Sequence, residues 1–300
     1  MHAPPFLKAG SRIALAAPAR KISRQDISSA LQFIEQNQWI PVFSDQLFDE
    51  FHQWSGTDQQ RANYLQSFLD SPEIDLIWCV RGGYGCLRMM DFLNWEKFKL
   101  NPKWLLGFSD ITALSQHIVH ALKGFTIHGP MAINIGKNFE TDQRLAKTLM
   151  GHLEPLTSNA HVLNRIGKTG GILHGGNLSL IYALQSSSAD FIPDGSILFL
   201  EDLDEYLYHI DRMMLSLRRS GKLARLSGLV LGGFTDMKDH QIPLGFSAEE
   251  IILNAVRDYD FPVCFSLPAG HVDLNFPLLM GCRVNLSVSH SGGVLDFIYG

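Results

Sequence analysis

Short apolar runs alternate with helical stretches throughout the first half of the chain. The runs at 12–17, 39–43, 74–80 and 104–108 have the length of strands. In the stretch after the first run, Ile27, Leu31 and Ile34 recur at helical spacing. Strands that alternate with helices are joined by right-handed crossovers and form a mainly parallel sheet. The predicted fold class is therefore α/β, with an N-terminal, mainly parallel sheet and flanking helices.

The second half of the chain has a different pattern. From about Gly167 onward it contains many glycine turns and short apolar runs, at 196–200, 228–231 and 284–288. Helical patterns remain at 178–185 and 248–259. These features predict a C-terminal mixed α+β, barrel-like domain. Because 140–168 is polar and lacks a strong strand, we predict an N-terminal domain over 1–145, a linker over 146–168 and a C-terminal domain over 169–300.

Composition excludes several classes of protein. With 46% hydrophobic and 18% charged residues among 300, the chain can bury a large core. The net charge of -5 is spread along the chain without a basic patch, which argues against a nucleic-acid partner. No run approaches the roughly 18 apolar residues of a membrane span, and no export signal is visible, so a cytoplasmic location without membrane contact is expected. The four cysteines form no CxxC pair and are interpreted as structural thiols.

A serine stands at the junction between a predicted strand and a predicted helix. Residues 105–112 read LLGFSDIT, which places Ser109 directly after an apolar run. Ligands bind at the carboxyl ends of strands in open α/β sheets, and the first N–H groups of a helix have no partner within it. Ser109 is therefore a candidate nucleophile, with the N–H of Asp110 as an oxyanion donor. The alternative is that Ser109 simply caps the helix, since Ile111 breaks the GxSxG pattern.

A glycine-rich segment, RGGYG at 81–85, follows the apolar run 74–80. Its spacing is not GxGxxG and no GK[ST] follows, so neither a dinucleotide site nor a Walker loop is indicated. The functional interpretation makes the N–H of Gly83 a second oxyanion donor, and the alternative is a tight turn. Arg81 and Tyr84 are predicted substrate contacts. Arg81 suits a carboxylate because a guanidinium binds in a bidentate manner, although a structural ion pair would explain it equally well.

Three polar segments of the second half complete the set of candidates. Glu201 opens an acidic run, EDLDE, which can orient a histidine, bind a metal or lie in solvent. His271, one of twelve histidines, stands in a PAGH loop and is a candidate general base. Asn177 precedes a predicted helix and is a predicted substrate contact. Ser179 is a rival nucleophile, but it lies within the helical pattern. No HxxxH or matching cysteine set lies near the acids, so no metal site is predicted.

Taken together and in this order, the motifs resemble those of the serine LD-carboxypeptidase family, which includes the microcin-immunity peptidases. The resemblance extends through nearly the whole chain. It rests on the segments 7–14, 17–18, 56–58, 61, 78–85, 107–114, 128–130, 175–179, 200–202 and 268–271, with Asn275 and Pro277.

The resemblance implies a Ser–Glu–His triad. Ser109 matches the family nucleophile in its GxSD motif, Glu201 matches the acid of the ED pair, and His271 matches the base of the GH motif. The implied oxyanion donors are the backbone N–H groups of Gly83 and Asp110. The resemblance also implies an N-terminal α/β domain that carries the nucleophile, a C-terminal domain that carries the acid and the base, a homodimer, and no metal or other cofactor.

The implied substrate is a small peptide, a muropeptide met in peptidoglycan recycling. The bond cleaved would be the L,D-peptide bond before the terminal D-Ala of a murein tetrapeptide. The nearest alternative is a peptidase of the same family that inactivates peptidyl- or aminoacyl-nucleotide antibiotics of the microcin C type. Two further alternatives are a non-enzymatic sugar- or nucleotide-binding protein and a metallohydrolase that uses the acids 201–205. The family often has a Thr-Pro pair where this chain has SSSAD at 186–190, which leaves specificity open.

Overall fold

The computed structural model describes residues 2–190 and 192–299, which form two compact units. The first unit extends to Leu153 and includes Phe276–Leu279, and the second comprises Glu154–Asn275 and the chain from Met280 onward. The strands are β1 Arg12–Ala16, β2 Ile40–Val42, β3 Leu76–Cys79, β4 Trp104–Leu106, β5 Thr126–His128, β6 Leu156–Thr157, β7 Gly167–Asn177, β8 Ser196–Leu203, β9 Leu226–Thr235, β10 Val263–Cys264, β11 Leu278–Met280, β12 Arg283–Ser289 and β13 Gly292–Ile298. The α-helices are α1 Ser28–Gln36, α2 Asp58–Asp70, α3 Cys86–Met89, α4 Glu96–Leu100, α5 Thr112–Gln116, α6 Phe139–Leu149, α7 Leu178–Ala183, α8 Leu207–Arg219 and α9 Ala248–Ala255.

The first unit is built on a six-stranded sheet in the order β11-β5-β4-β3-β1-β2. Strands β2, β1, β3, β4 and β5 pair in parallel, with Ile13 opposite Leu76 and Leu106 opposite Ile127. Every residue of β3 and β4 is buried, as expected for central strands of a parallel sheet covered on both faces. The carboxyl ends of β1, β3 and β4 therefore lie side by side at one edge of this sheet.

Local sequence signals set the ends of several helices. Thr57 caps α2 through a reciprocal pair of hydrogen bonds with Gln60, and Ser247 caps α9 in the same way with Glu250.

The helix after β4 changes its winding along its length. Ser109–Ile111 forms a 3₁₀ turn, α5 follows, and His117–Ala121 forms a π-helical turn.

The second unit contains a seven-stranded mixed sheet in the order β10-β9-β8-β7-β12-β13-β6. Strands β10, β9, β8 and β7 are parallel, whereas β7, β12, β13 and β6 are antiparallel. In β12 buried Val284, Leu286 and Val288 alternate with more accessible residues, the pattern of a strand with one face toward the core. Side chains from β8 and β9 pack with those of α8 and α9 in one apolar cluster, which contains Leu198, Leu229, Met213 and Ile252 among others.

The structure confirms the predicted α/β class with two sheets, of which the first is mostly parallel. It differs in detail from the division at 146–168. Helix α6 continues to Leu149, and β6 lies inside the predicted linker, where Leu156 pairs with Leu295 of β13. Residues Phe276–Leu279 belong to the first unit, because β11 adds to the edge of its sheet beside β5. No local pattern marks that return, since strand pairing depends on residues distant in sequence.

Candidate active site

Ser109 follows β4 at the carboxyl edge of the first sheet and has an unusual backbone conformation. Its φ angle is +61°, in the left-handed region that costs an L-residue with a side chain about 1–2 kcal/mol. Residues held in that region are concentrated at functional sites, and a sharp strand-to-helix turn presents its side chain outward. The Phe108 residue before it is extended, and the 3₁₀ turn begins at Ser109 itself. The conformation argues against Ser109 as an ordinary helix cap, because Phe108 occupies the N-cap position of this turn.

The glycine pair after β3 lies directly against this serine. A Cβ atom on Gly82 would lie 3.2 Å from the Cβ and 3.3 Å from the Oγ of Ser109, so only glycine fits there without displacement. Gly83 has a φ of +110° and is exposed, and its N–H makes no hydrogen bond within the described parts of the chain. The N–H of Asp110 lies in the first helical turn, where such groups have no intrahelical acceptor. The N–H groups of Gly83 and Asp110 thus belong to segments that adjoin Ser109, and their role as oxyanion donors stays a prediction.

A buried arginine holds the glycine segment in place. Arg61 on α2 is 2% exposed, and its guanidinium donates to the carbonyl oxygens of Gly85 (3.0 Å), Gly56 (3.3 Å) and Pro18. A Cβ atom on Gly85 would lie 2.6 Å from Arg61 Nη1. Burial lowers the pKa of Arg61, although the charge of Asp58 opposes this. Because one side chain ties three backbone segments together, the loop 81–85 is held rigidly beside Ser109.

The carboxylate of Asp110 also fixes that loop. Asp110 is 1% exposed, and its Oδ2 accepts from the N–H of Cys86 at 2.8 Å. Burial raises the pKa of Asp110, while the hydrogen bond from Cys86 acts in the opposite direction. The side chain of Asp110 is thus directed into the unit interior, and the oxyanion role predicted for its N–H stays a prediction.

In the second unit, Glu201 and His271 meet in a short hydrogen bond. His271 Nδ1 lies 2.5 Å from Glu201 Oε2, and the N–H of His271 donates to the same oxygen at 3.3 Å. The Glu201 side chain is fully buried, whereas that of His271 is 15% exposed. A carboxylate can only accept here, so Nδ1 carries the proton and Nε2 is left as the basic nitrogen. Two residues separated by 70 positions are therefore joined as an acid and a base.

A bulge and three glycines make this contact sterically possible. Between Leu200 and Asp202 the β8–β9 register shifts, so that Glu201 lies opposite two residues of β9, Gly232 and Gly233. Cβ atoms on those glycines would lie 2.3 Å from the Ala269 carbonyl oxygen and 2.5 Å from Val272 Cγ1, respectively. Gly270, with a φ of +91°, would place a Cβ 2.6 Å from Glu201 Cγ. The three glycines let the 269–272 loop lie directly against the strands.

The protonation of His271 is set by two opposing influences. Burial alone would lower the pKa of His271, but the hydrogen bond to Glu201 and the charges of Glu201 and Asp202 outweigh it. The pKa of His271 is therefore raised above its ordinary value of 6.5. An imidazole of this kind accepts a proton readily and holds the resulting charge next to a carboxylate.

Asn177 and Asp202 organise the strand ends around Glu201. Asn177 Nδ2 donates to Asp202 Oδ1 at 2.8 Å, the N–H of Ser179 donates to Asp202 Oδ2 at 2.8 Å, and Asn177 Oδ1 accepts from the N–H of Leu180. Burial and then the charge of Glu201 raise the pKa of Asp202 to about 7. The Asn177 side chain thus caps α7 and binds Asp202, and it is 4% exposed. These contacts favour a positioning role for Asn177, and its contact with substrate stays a prediction.

The other two predicted substrate contacts lie on the loop 81–85. Arg81 is half-buried, and its Nη1 donates to the carbonyl oxygen of Lys21 at 3.4 Å. Tyr84 is 46% exposed, and its carbonyl oxygen accepts from Trp54 Nε1. Both side chains are thus available to a ligand at the carboxyl edge of the first sheet.

Sequence reasoning missed two features of this region. The Gly232–Gly233 bulge follows an apolar run, where a glycine pair within a strand is a signal for a bulge or a close backbone approach. The sequence did not distinguish Asp202 from the other acids of 201–205. Its role becomes visible only in the structure, where Asn177 pairs with Glu201 across β7 and β8.

The sequence matches two family profiles. Residues 13–129 match the LD-carboxypeptidase N-terminal domain, and residues 170–286 match the LD-carboxypeptidase C-terminal domain. The chain belongs to the LD-carboxypeptidase family of serine peptidases. A murein tetrapeptide carboxypeptidase of Pseudomonas aeruginosa is 30% identical over 87% of this chain and 88% of that protein. The resemblance predicted from the motifs is therefore confirmed.

Solved structures show the same fold. A muramoyltetrapeptide carboxypeptidase from Oxalobacter formigenes superposes with a TM-score of 0.85 at 23% identity, covering 96% of this chain and 98% of that one. The microcin C7 self-immunity protein MccF, in complex with aspartyl sulfamoyl adenosine, superposes with a TM-score of 0.88 at 18% identity, covering 100% and 99%. At these identities the likeness establishes the fold of this LD-carboxypeptidase family member.

The described part of the chain comprises residues 2–190 and 192–299. Neither segment contains a helix with the length and apolar character needed to cross a membrane. The same residues contain no group of three or more His, Cys, Asp or Glu side chains arranged to hold a metal ion.

Proposed function

We propose that this family member is a serine carboxypeptidase in which Ser109, Glu201 and His271 act as a catalytic triad. The observation that carries the proposal is the Glu201–His271 pair, in which a fully buried carboxylate binds Nδ1 at 2.5 Å and leaves Nε2 as the base. The left-handed conformation of Ser109 beside Gly82 supports its role as nucleophile.

The reaction would proceed through an acyl-enzyme. His271 removes the hydroxyl proton of Ser109 as the Oγ atom attacks the scissile carbonyl carbon, and it then delivers that proton to the leaving amine. The N–H groups of Gly83 and Asp110 would bind the oxyanion, a contribution of about 3 kcal/mol for each donor in comparable enzymes. Water activated by His271 then attacks the acyl-enzyme, and Ser109 recovers its proton. Glu201 holds the imidazole tautomer and stabilises the imidazolium that forms in each step.

The proposed substrate is a murein tetrapeptide, cleaved at the L,D-peptide bond before its terminal D-Ala. The support is the 30% identity to the murein tetrapeptide carboxypeptidase of Pseudomonas aeruginosa over most of both chains. Arg81 is a candidate for the terminal carboxylate, since its guanidinium makes a single long hydrogen bond. The cytoplasmic location and the homodimer implied by the family resemblance stay predictions.

The experiment that tests the proposal is incubation of the purified protein with a murein tetrapeptide, followed by measurement of free D-Ala. The wild type should release D-Ala, and Ser109→Ala should reduce turnover by at least about a thousandfold. Ser179→Ala is the matched serine variant and should retain most of the turnover, because Ser179 Oγ donates to Oδ1 of Asn177, the residue that caps α7. A loss of turnover in Ser179→Ala but not in Ser109→Ala would assign the nucleophile to Ser179.

The alternative substrate is an aminoacyl-nucleotide antibiotic of the microcin C type. It is favoured by the superposition on MccF, whose bound ligand is aspartyl sulfamoyl adenosine. Release of an amino acid from such a nucleotide, with no D-Ala from the tetrapeptide, would select this alternative and leave the proposed triad in place.

A further inference from the structure

The arginines of the first unit divide into two groups. Five have a partner side chain within the unit: Arg12 with Glu73, Arg24 with Asp45, Arg61 and Arg88 with Asp58, and Arg144 over the ring of Phe276. The remaining two are Arg20 and Arg81, and among the described residues neither has a carboxylate within ion-pair distance. A guanidinium is always charged and has five N–H donors. Most N–H donors of these two side chains can therefore bind a ligand.

Both arginines lie at the edge of the sheet that presents Ser109. Arg20 follows β1 and Arg81 follows β3, and these strands are adjacent in the order β4-β3-β1. The N–H of Arg20 donates to the carbonyl oxygen of Gly82 at 3.3 Å, and Arg81 Nη1 donates to the carbonyl oxygen of Lys21 at 3.4 Å. The two backbone segments that carry the arginines therefore run side by side.

The side chain of Arg20 lies over the oxyanion loop. A Cβ atom on Gly83 would lie 2.5 Å from Arg20 Cδ and 2.7 Å from its Nε. The adjacent Gly82 touches Ser109, so the aliphatic part and the Nε of Arg20 lie one residue along the loop from the serine contact. Arg20 therefore lies within one residue of the glycine that contacts Ser109.

The surrounding charges leave this edge positive. Lys21, next to Arg20, is neutralised by Glu50 at 2.6 Å. The positive charge of Arg81 acts on Asp26. The pKa of Asp26 is lowered first by hydrogen bonds from Ser23 and to a smaller extent by Arg81. Asp26 accepts hydrogen bonds from the N–H and the hydroxyl of Ser23, and within the described residues it forms no ion pair with Arg20 or Arg81.

We propose that Arg20 and Arg81 together form the binding site for the free carboxylate at the C terminus of the substrate, with Arg20 as the residue that restricts cleavage to the last peptide bond. The inference rests on the proposed function and deepens it. In an exopeptidase the terminal carboxylate is one residue away from the scissile carbonyl. A carbonyl held between Ser109 and the N–H of Gly83 would place that carboxylate beside the two unpaired guanidinium groups. A substrate that continued beyond this residue would leave both charges without a partner.

The test compares a murein tetrapeptide with its C-terminal amide. Arg20→Met keeps the aliphatic packing over Gly83 and removes the charge, and Arg81→Met does the same at the second position. Each variant should raise KM for the free acid at least about tenfold, since a hydrogen bond to a charged group is worth that much or more, and should leave kcat within about threefold. Neither variant should change kcat/KM for the amide. Lys21→Met is the matched control, because it removes a neighbouring charge that Glu50 already neutralises.

Equal losses on the acid and the amide, or no loss on either, would overturn the carboxylate site while leaving the Ser109-dependent reaction intact. If the wild type cleaves neither peptide, the proposed function fails, and the site is then judged by calorimetric binding of the same two peptides to the wild type and Arg20→Met. Preference for the acid that disappears in Arg20→Met would support the site. Equal binding of acid and amide, or no binding of either, would overturn it.

Discussion

At the scale of single residues, the contact between Glu201 and His271 decides how the site titrates. Glu201→Gln keeps the shape of the side chain but can donate to Nδ1, which favours the wrong tautomer of His271. We expect kcat to fall by about 10³–10⁴. The acid limb of kcat/KM should also move to lower pH, because the raised pKa of His271 depends on Glu201 while burial acts to lower it. A pH-rate profile of both proteins measures the two effects.

A second Glu–His pair in the same unit supplies the matched control. Glu205 Oε2 lies 2.6 Å from His209 Nδ1, four residues apart in the chain. Glu205→Gln alters the same kind of contact at a place without a proposed role in proton transfer, and it should leave both kcat and the acid limb nearly unchanged. An unmoved acid limb in Glu201→Gln would show that a group other than His271 controls that limb.

Asp202 gives a stability prediction with a definite sign. Burial and the neighbouring Glu201 raise its pKa from 3.8 to about 7, so the folded protein binds this proton more tightly than the unfolded chain. The contribution of Asp202 to the free energy of unfolding therefore decreases as pH rises from about 4 to about 7. Asp202→Asn removes this titration. The free energy of unfolding of the variant minus that of the wild type should therefore increase by about 2–4 kcal/mol from pH 4 to pH 8.

Urea unfolding at the two pH values measures the Asp202 effect. Asp204→Asn is the control, because Asp204 is 57% exposed and pairs with Lys238 at 2.5 Å. Its difference from wild type should vary little between the two pH values. A difference for Asp202→Asn that is the same at pH 4 and pH 8 would contradict a raised pKa. The titrating groups that act on Asp202 are Glu201 and His271, and both remain in each variant.

The residues of the site were predictable to different degrees. Motif order predicted Glu201 and His271, and the structure brings them together. The conformation of Ser109 was not predictable, since a φ of +61° is imposed by the strand-to-helix turn and by its packing against Gly82. Arg20 gave no sequence signal, because its proposed role depends on the absence of a carboxylate partner among residues 2–190 and 192–299, which only the structure reveals.

At the scale of elements, apolar runs predicted the strands well. The run 74–80 contains β3 and the run 104–108 contains β4, because buried parallel strands are continuously apolar. The helix predicted to follow Ser109 is instead a succession of 3₁₀, α and π turns from Ser109 to Ala121. Periodicity cannot resolve such changes, since all three windings place apolar residues on one face over so few turns.

The loop between β10 and β11 carries an element-scale prediction. Gly270→Ala adds a Cβ 2.6 Å from Glu201 Cγ, so the 269–272 loop must move and displace His271. Turnover should fall at least about a hundredfold, because catalysis depends steeply on the placement of the base. Gly245→Ala is the control, since Gly245 has a similar φ of +85° but no atom within 4 Å of the added Cβ. It should cost only about 1 kcal/mol of stability and leave turnover unchanged. Wild-type turnover in Gly270→Ala would show that the loop tolerates the displacement.

At the scale of the whole molecule, the chain enters the first unit twice. Residues up to Leu153 build five strands of its sheet, and Phe276–Leu279 return to supply the edge strand beside β5. The change of sequence pattern at about Gly167 indicated two domains. A three-residue strand that lies far along the chain from its partner strand leaves no periodic signal. Local sequence patterns therefore mark the boundary between the two domains. They do not reveal a segment whose place in the fold depends on pairing with residues distant in sequence.

This return can be tested because all five tryptophans lie in the first unit, at positions 39, 54, 78, 95 and 104. Tryptophan fluorescence therefore reports unfolding of that unit, whereas far-UV circular dichroism reports both. Leu278 is 0% exposed, and Leu278→Asp buries an unpaired charge in β11. It should lower the fluorescence-detected free energy of unfolding by at least about 2 kcal/mol. Leu286→Asp, on β12 of the second unit, should act mainly on the circular dichroism transition. A fluorescence midpoint unchanged by Leu278→Asp would show that β11 contributes nothing to the stability of the first sheet.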